Sequence, residues 1–271
     1  MIAVTGTFDD LRSKQVRLLE EAAKLGSVHV ALWSDEAVQA QGGRAPRFPE
    51  RERLYLLQSL RFVDRVTLVK GLSAVDALPR FDGARPELWI VAEEDDDPAK
   101  RAFAQERGIV YRVIESREVS GFDIPAFAPS DLRPERKRVM VTGCFDWFHS
   151  GHVRFFEEAA ALGDLYAIVG HDANIRLLKG EGHPLLGEQE RVYMVHAVRY
   201  VHQALISTGH GWMDAEPEVA CIQPHIYVVN EDGDKPEKRA FCAANGIEYV
   251  VLKRVPKAGL PRRESTILRG F

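Results

Sequence analysis

Short apolar runs alternate with helix-length segments along the whole chain. The runs are rich in Val and Ile, and each half of the chain contains five of them. They are Ile2–Val4, Val28–Trp33, Val66–Val69, Leu88–Ala92 and Val110–Ile114, then Val139–Val141, Leu165–Val169, Ala204–Ser207, Ile226–Val229 and Tyr249–Leu252. Such a pattern is typical of parallel strands in a doubly wound α/β sheet. Ligands of such sheets bind beyond the carboxyl ends of the strands, where the strand order reverses.

The second half of the chain repeats the sequence of the first. Val4–Leu11 matches Val141–Phe148, and Glu20–Gly26 matches Glu157–Gly163 at the same shift. Self-similarity over this length indicates two copies of one domain. We predict two tandem Rossmann-like domains, each a doubly wound parallel sheet, at residues 1–115 and 138–271. A proline-containing linker is predicted at residues 116–137.

The composition is that of a globular protein. The 271 residues carry a formal net charge of −4 and contain no Lys/Arg-rich block, so a nucleic-acid partner is not indicated. The three cysteines form no CxxC pair, which favours a reducing compartment over a disulfide framework. We see no signal-peptide pattern and no apolar run of membrane-spanning length. A cytoplasmic protein without a membrane partner is therefore expected.

The stretch from Val141 to His152 is the strongest candidate for chemistry. A predicted strand ends at Gly143, and an apolar-periodic helix begins close to His149 and His152. Two histidines three residues apart lie on one face of the first helical turn, near the positive end of the helix dipole. Gly151 between them leaves the backbone bare, so an anion can approach the amides. The stretch predicts a site for phosphate.

The first copy lacks this chemistry. Arg12–Gln15 stands where the second copy has His149–His152. The acidic run Glu93–Asp97 would also repel a triphosphate. A solvated acidic loop and a metal-binding loop are the two interpretations of that run. We therefore predict that the phosphate chemistry belongs to the second copy.

Several motifs of the second copy resemble a known superfamily. Gly143–His152, the pair Glu190–Arg191, Arg199–Val201 and the tail Arg263–Arg269 resemble the HxGH nucleotidyltransferases. They are most similar to the cytidylyltransferases that act on glycerol-3-phosphate and on ethanolamine- or choline-phosphate. The resemblance implies two nucleotidyltransferase domains, the second active and the first degenerate. It also implies an internal pseudo-dimer, and it leaves further homo-oligomerisation open.

The reaction that the resemblance implies is nucleotidyl transfer. A phosphorylated alcohol or sugar-like acceptor attacks the α-phosphate of CTP and expels pyrophosphate. Positioning and charge stabilisation supply such catalysis without a protein nucleophile. Mg²⁺ is expected to arrive with the triphosphate, and no protein metal cage is expected. An ATP-dependent adenylyltransferase and a non-catalytic nucleotide-binding regulator are the alternatives.

The predicted site residues fall into three groups. The catalytic candidates are His149, His152 and Lys179, which would contact phosphate oxygens. The nucleotide-binding candidates are Gly143, Cys144, Phe145, Ser150, Gly151, Arg199, Asn230, Asp232, Ser265 and Thr266. The candidates for the acceptor are Asp146, Trp212 and Arg254.

Some of these residues have an ordinary structural alternative. Lys179 would otherwise be a solvated lysine in a glycine-flanked loop, and Arg199, on a predicted helix, would form a surface salt bridge. Ser265 and Thr266 read first as the N-cap of a short terminal helix, which would still present amides to a phosphate. Trp212 would otherwise pack inward from a glycine-rich connection.

Overall fold

The computed structural model describes residues 1–71, 78–79, 81, 83 and 85–268, except the side chain of Thr266. The chain divides into unit 1, Met1–Gly121, and unit 2, Phe122–Phe271. Each unit is an α/β domain built on its own five-stranded parallel sheet. No helix among the described residues is long and apolar enough to cross a membrane.

Unit 1 contains five strands and four helices in its described part. The strands are β1 (Ile2–Gly6), β2 (Val28–Trp33), β3 (Arg65–Val69), β4 (Leu88–Ala92) and β5 (Val110–Ile114). The helices are α1 (Ser13–Ala23), α2 (Asp35–Gly42), α3 (Glu50–Gln58) and α4 (Pro98–Glu106). The sheet order is β3-β2-β1-β4-β5, and all neighbours are parallel.

Unit 2 repeats this arrangement. Its strands are β6 (Arg138–Gly143), β7 (Asp164–Val169), β8 (Val201–Ile206), β9 (Ile226–Asn230) and β10 (Glu248–Leu252). Its helices are α5 (Ser150–Ala160), α6 (Asp172–Lys179), α7 (Glu188–His196), α8 (Glu216–Ile222), α9 (Pro236–Ala244) and α10 (Ser265–Leu268). The order β8-β7-β6-β9-β10 matches that of unit 1. In both sheets the strand order therefore reverses between the first and fourth strands.

Burial explains why the apolar runs become strands. Every residue of β7 is buried, as expected for a parallel strand covered by helices on both faces. The helix α5 turns Val153, Phe156 and Ala159 inward at helical spacing, and all three are buried. The predicted parallel α/β sheets are confirmed.

One strand begins earlier than its apolar run. The sequence predicts a strand at Ala204–Ser207, whereas β8 spans Val201–Ile206. Its first part contains His202 and Gln203, and the register with β7 shifts between Leu165 and Tyr166. The polar residues and the irregular pairing hide this part of the strand from a search for apolar runs.

Part of the predicted linker packs on unit 2. The ring of Phe122 stacks on Tyr193, with ring centroids 5.1 Å apart. Gln203 Nε2 donates to the carbonyl of Pro125 at 2.7 Å. Because aromatic and backbone contacts both hold it, this segment is a structured extension of unit 2.

Candidate active site

A cleft opens at the carboxyl ends of β6 and β9, the place where the strand order of unit 2 reverses. About 680 Å³ of space lies between its walls, part of it open to solvent. The lining residues come from the turn after β6, the start of α5, the end of α6, the loop after β9, α9 and the tail. They are Thr142, Gly143, Cys144, Phe145, His149, Gly151, His152, Phe155, Lys179, Val229, Asn230, Asp232, Gly233, Lys238 and Arg254.

The turn after β6 is tightly folded around Phe145. Phe145 and Trp147 adopt the left-handed backbone conformation, with φ of 50° and 45°. A Cβ on Gly143 would lie 2.8 Å from Phe145 Cζ, so a larger residue at this position would have to displace the ring. The ring of Phe145 then meets His152 edge-on, with centroids 5.5 Å apart. The turn thus packs the ring of Phe145 against His152.

His149 is the N-cap of α5, and this position fixes its tautomer. Its Nδ1 accepts the backbone N–H of Gly151 at 3.1 Å. An Nδ1 that accepts a hydrogen bond in a neutral ring leaves the proton on Nε2. A Cβ on Gly151 would lie 2.9 Å from His149 Cε1, which explains the glycine between the histidines.

The two histidine rings lie against each other. Their centroids are 3.9 Å apart and their planes differ by 17°. His149 Nε2 and His152 Nδ1 are buried and have no hydrogen-bond partner among the described residues. Because buried polar atoms are nearly always paired, these two nitrogens are suited to bind a ligand.

Both histidines are neutral at neutral pH. Burial lowers the pKa of His149 well below its ordinary value, and the nearby His152 and Arg254 lower it further. Burial, with Arg254 and Lys179, lowers the pKa of His152 to about 3. Both rings are therefore suited to contact a ligand as neutral hydrogen-bonding groups.

Positive charge comes from three other side chains in the cleft: Lys179, Lys238 and Arg254. Arg254 Nη1 pairs with Asp232 Oδ2 at 2.7 Å, and its Nη2 donates to the carbonyl of Arg263 at 3.2 Å. Burial, with the neighbouring Lys235, lowers the pKa of Lys238. Three cations against one lining carboxylate make the cleft attractive to an anion.

Lys179 is the last residue of α6 rather than a loop residue. Gly180 follows it with φ of 86° and ends the helix. A cation at a helix carboxyl end is favoured by the helix dipole, and here it also borders the cleft. The structure thus brings Lys179 together with both histidines.

The segment after β10 contacts the turn after β6 and the start of α5. Ser265 Oγ donates to the carbonyl of Asp146 at 3.0 Å, and the Arg263 carbonyl approaches Gly151. The predicted terminal helix is present, but Glu264 rather than Ser265 accepts its first backbone hydrogen bonds, from Ile267 and Leu268. The N-cap prediction is corrected by one residue because the helix begins at Ser265. The side chain of Thr266 lies outside the described atoms.

Asp146 holds the turn rather than facing the cleft. Its Oδ2 accepts the N–H of Leu185 at 2.9 Å, and its Oδ1 accepts that of Leu186 at 3.1 Å. The residue is buried, and both carboxylate oxygens are engaged by backbone. Asp9 of unit 1 binds the amides of Arg47 and Phe48 in the same way. A contact repeated in the copy without histidines indicates a framework role.

Arg199 is an exposed turn residue. The sequence predicts it on a helix, but α7 ends at His196, and Arg199 is exposed in the turn before β8. The chain leaves the helix there because Val201 must enter the sheet beside Leu165. Arg199 is not among the residues that line the described cleft.

Arg191, eight residues earlier, is the buried arginine of this region. Its guanidinium donates to the carbonyls of Leu186, Cys144 and Gly170 and pairs with Asp172 Oδ1 at 2.6 Å. The side chain is fully buried. It ties the turn after β6 to the end of β7 and the start of α6. Burial also raises the pKa of the adjacent Cys144 thiol, so that group is protonated.

The remaining predicted residues are placed as follows. Trp212 is 48% exposed, meets the edge of the Phe241 ring and does not line the described cleft. It projects from a loop that Asn174 ties down by exchanging two hydrogen bonds with the Gly211 backbone. Ser150 lines a neighbouring basic groove together with Arg254.

Lys238 is the cleft residue that sequence reasoning missed. It lies on α9 and matches Lys100 of unit 1 in the repeat, so its presence in both copies marked it as part of the fold. Its position in the first turn of α9, directly after the loop that follows β9, is the signal that could have found it.

Metal-binding groups are sparse. No group of three or more His, Cys, Asp or Glu residues suited to a metal ion occurs in the described part of the chain. Asp232 is the carboxylate among the described lining residues, and it is paired with Arg254.

The fold is a doubly wound α/β sheet, and a cleft lined by two histidines and three cations lies at its switch point. A family model described as cytidylyltransferase-like matches residues 140–211, which include both histidines. A FAD synthase from Aciduliprofundum boonei is 36% identical over 119 residues, covering 43% of this chain and 76% of the relative. One from Methanopyrus kandleri is 37% identical over 137 residues, covering 48% and 87%.

A second kind of relative is longer. The bifunctional protein HldE from Pelobacter propionicus is 38% identical over 117 residues, which cover 42% of this chain and 23% of that protein. The matched stretch is thus less than a quarter of the length of this relative. On these matches, the chain belongs to the cytidylyltransferase-like family of nucleotidyltransferases.

Proposed function

We propose that unit 2 transfers a nucleotidyl group from a nucleoside triphosphate to a phosphorylated small-molecule acceptor. An oxygen of the acceptor phosphate forms a bond to the α-phosphorus, while the bond from that phosphorus to the β-phosphate oxygen breaks. Pyrophosphate leaves with the electron pair of the broken bond. The observation that carries the proposal is the pair of unpartnered histidine nitrogens beside three cations.

The histidines would stabilise the transition state as hydrogen-bonding groups. His149 carries its proton on Nε2, because Nδ1 accepts from Gly151, so Nε2–H can donate to a phosphate oxygen. His152 lies stacked beside it and presents a second buried nitrogen. Such hydrogen bonds strengthen as negative charge builds on the oxygens. Removing one such donor costs about 3 kcal/mol of transition-state stabilisation, roughly a hundredfold in rate.

The three cations would hold the triphosphate. Lys179 approaches from α6, Lys238 from α9 and Arg254 from the segment after β10. Mg²⁺ would accompany the triphosphate and offset charge on its phosphate oxygens. Asp232 is the carboxylate among the described cleft residues and would be the candidate to contact such an ion or its waters. Its ion pair with Arg254 lets it orient that guanidinium as well.

CTP and ATP are the two candidate donors. The motif resemblance to cytidylyltransferases favours CTP. The FAD synthase relatives favour ATP, because the product in their name contains an adenosine moiety, and the chain covers 76% and 87% of their lengths. The acceptor proposed from the motifs is a phosphorylated alcohol or sugar-like compound.

A pyrophosphate-release screen tests this function. The full chain is incubated with Mg²⁺ and each of the four common nucleoside triphosphates, against phosphorylated polyols, sugars, amino alcohols and flavin mononucleotide. We expect release that depends on one donor and one acceptor together. Tight nucleotide binding without acceptor-dependent release would instead identify a non-catalytic binding protein and overturn the proposal.

A further inference from the structure

Unit 1 keeps a cavity at the position where unit 2 has its cleft. The cavity lies at the carboxyl ends of β1 and β4, and about 880 Å³ of space, part of it open to solvent, lies between its walls. The turn after β1, the start of α1, the end of β2 and the loop after β4 all contribute to its lining. It is therefore built at the sheet position where doubly wound folds bind ligands.

The charges of this cavity are balanced internally. The lining contains two cations, Lys14 and Lys100, and two carboxylates, Glu94 and Asp95. Lys14 Nζ pairs with Glu94 Oε2 at 2.8 Å, and Lys100 Nζ donates to the Asp95 carbonyl at 2.7 Å. The cavity thus lacks the net positive charge that the cleft of unit 2 offers to phosphate. A triphosphate has no electrostatic reason to bind here.

Apolar and neutral polar groups make up the rest of the wall. Phe8, Trp33 and Ile114 are buried and supply an aromatic and aliphatic surface. Thr5 Oγ1 and Trp33 Nε1 are buried, and neither has a hydrogen-bond partner in the described part of the chain. Both residues line the cavity. An indole N–H only donates, so the missing partner of Trp33 is a hydrogen-bond acceptor.

We propose that this cavity of unit 1 binds an uncharged, ring-bearing small molecule of nucleoside size that presents a hydrogen-bond acceptor. The ring lies against the aromatic and aliphatic wall, and the acceptor pairs with the indole or hydroxyl. This is a second site, separate in chemistry from the phosphate site. The choice of nucleosides as probes rests on the proposed function, whereas the cavity and its charges do not.

The indole N–H of Trp33 provides a site-specific measurement. The chain contains four tryptophans, so a ¹⁵N spectrum of the full protein shows few indole signals, and Trp33→Phe assigns the one of interest. Adenosine, cytidine and riboflavin are titrated as neutral probes, and ATP and CTP as charged ones. We expect a saturable shift of the Trp33 signal with a neutral probe and none with either triphosphate at equal concentration.

Two substitutions sharpen this test. Thr5→Val removes the hydroxyl at nearly constant shape and is expected to lower the affinity for the neutral probe about fivefold to tenfold. Thr5→Ser keeps the hydroxyl and is expected to keep the affinity. His149→Ala combined with His152→Ala should leave the Trp33 response unchanged, so loss of transfer and loss of this site are distinguishable. A Trp33 signal that stays fixed with all three neutral probes at millimolar concentration, or moves equally with ATP, overturns the proposal.

Discussion

The two units share a framework and differ in chemistry. Arg53 donates to the carbonyls of Phe48, Thr7 and Trp33 and pairs with Asp35, which repeats the contacts of the buried arginine in unit 2. The aspartate that binds two backbone amides is repeated as well. The stacked histidines are not repeated, because unit 1 has Arg12 and Gln15 at the matching positions.

This difference separates residues that build the turn from residues that act in it. A residue whose contacts recur in both units is needed by the fold, whether or not unit 1 performs chemistry. His149 and His152 occur in one unit, and each leaves a buried ring nitrogen, Nε2 of His149 and Nδ1 of His152, unpartnered in the described structure. The repeat thus provides an internal control that a single-domain relative lacks.

The largest effect on stability is expected at the repeated arginines. Arg191→Leu and Arg53→Leu each leave several buried carbonyl groups and a carboxylate without their donor. We expect each substitution to lower the free energy of unfolding of its own unit by about 3–5 kcal/mol, because several backbone carbonyls lose their hydrogen-bond donor, at about 1–3 kcal/mol each. Urea unfolding followed by circular dichroism measures this loss. A large effect in one unit and none in the other would contradict the shared framework.

The lysine that both units keep should serve transfer in unit 2. Lys238→Met is expected to lower kcat/KM by about tenfold to a hundredfold, less than loss of a histidine donor, because lysine neutralises charge at a distance. Lys235→Met is the matched control, since it removes a neighbouring exposed lysine that does not line the cleft. Equal losses in both variants would show a general charge effect instead of a contact in the cleft.

Acid stability should distinguish the histidine turn from its counterpart. The pKa of His152 is lowered from 6.5 to about 3 in the folded protein, so the unfolded chain binds more protons between these values. The free energy of unfolding therefore falls as the pH drops below about 6.5, by about 1.4 kcal/mol per pH unit for this residue. His152→Gln should flatten this dependence, as urea unfolding at several pH values can measure. An unchanged slope in the variant would argue against a buried neutral ring.

The smallest effect is expected at the glycines beneath the two phenylalanine rings. A Cβ on Gly143 would lie 2.8 Å from the Phe145 ring, whereas one on Gly6 would lie 3.3 Å from Phe8. We expect Gly143→Ala to destabilise unit 2 by about 1–2 kcal/mol and Gly6→Ala to cost unit 1 less. Thermal unfolding of the two variants measures both losses of stability. A larger loss for Gly6→Ala than for Gly143→Ala would show that the two turns differ in packing more than their sequences indicate.

The sequence predicts much of the fold because apolar runs and the repeat are local signals. All ten strands lie where the runs indicate, except for the start of β8, where polar residues enter the sheet. The histidine turn is predictable for the same reason, since its spacing places both rings on one helical face.

Burial and contacts across the chain are harder to predict. Arg199 and Arg191 look equally basic in the sequence, yet one is exposed and the other is enclosed by backbone carbonyls from three segments. Asp146 belongs to a motif that resembles a binding loop, but its oxygens are taken by amides 39 and 40 residues away. Such partners depend on tertiary packing, which a pattern along the chain does not record.

Pyrophosphate release by three proteins tests most directly whether the chemistry belongs to the histidine pair of unit 2. The wild type, the His149→Ala/His152→Ala variant and Arg12→Ala, which changes the unit 1 counterpart of His149, are compared with the donor and acceptor found in the screen. We expect the double variant to lose at least about a thousandfold in kcat and Arg12→Ala to match the wild type. Full activity in the double variant, or its loss in Arg12→Ala with both units folded, would contradict the assignment of catalysis to unit 2.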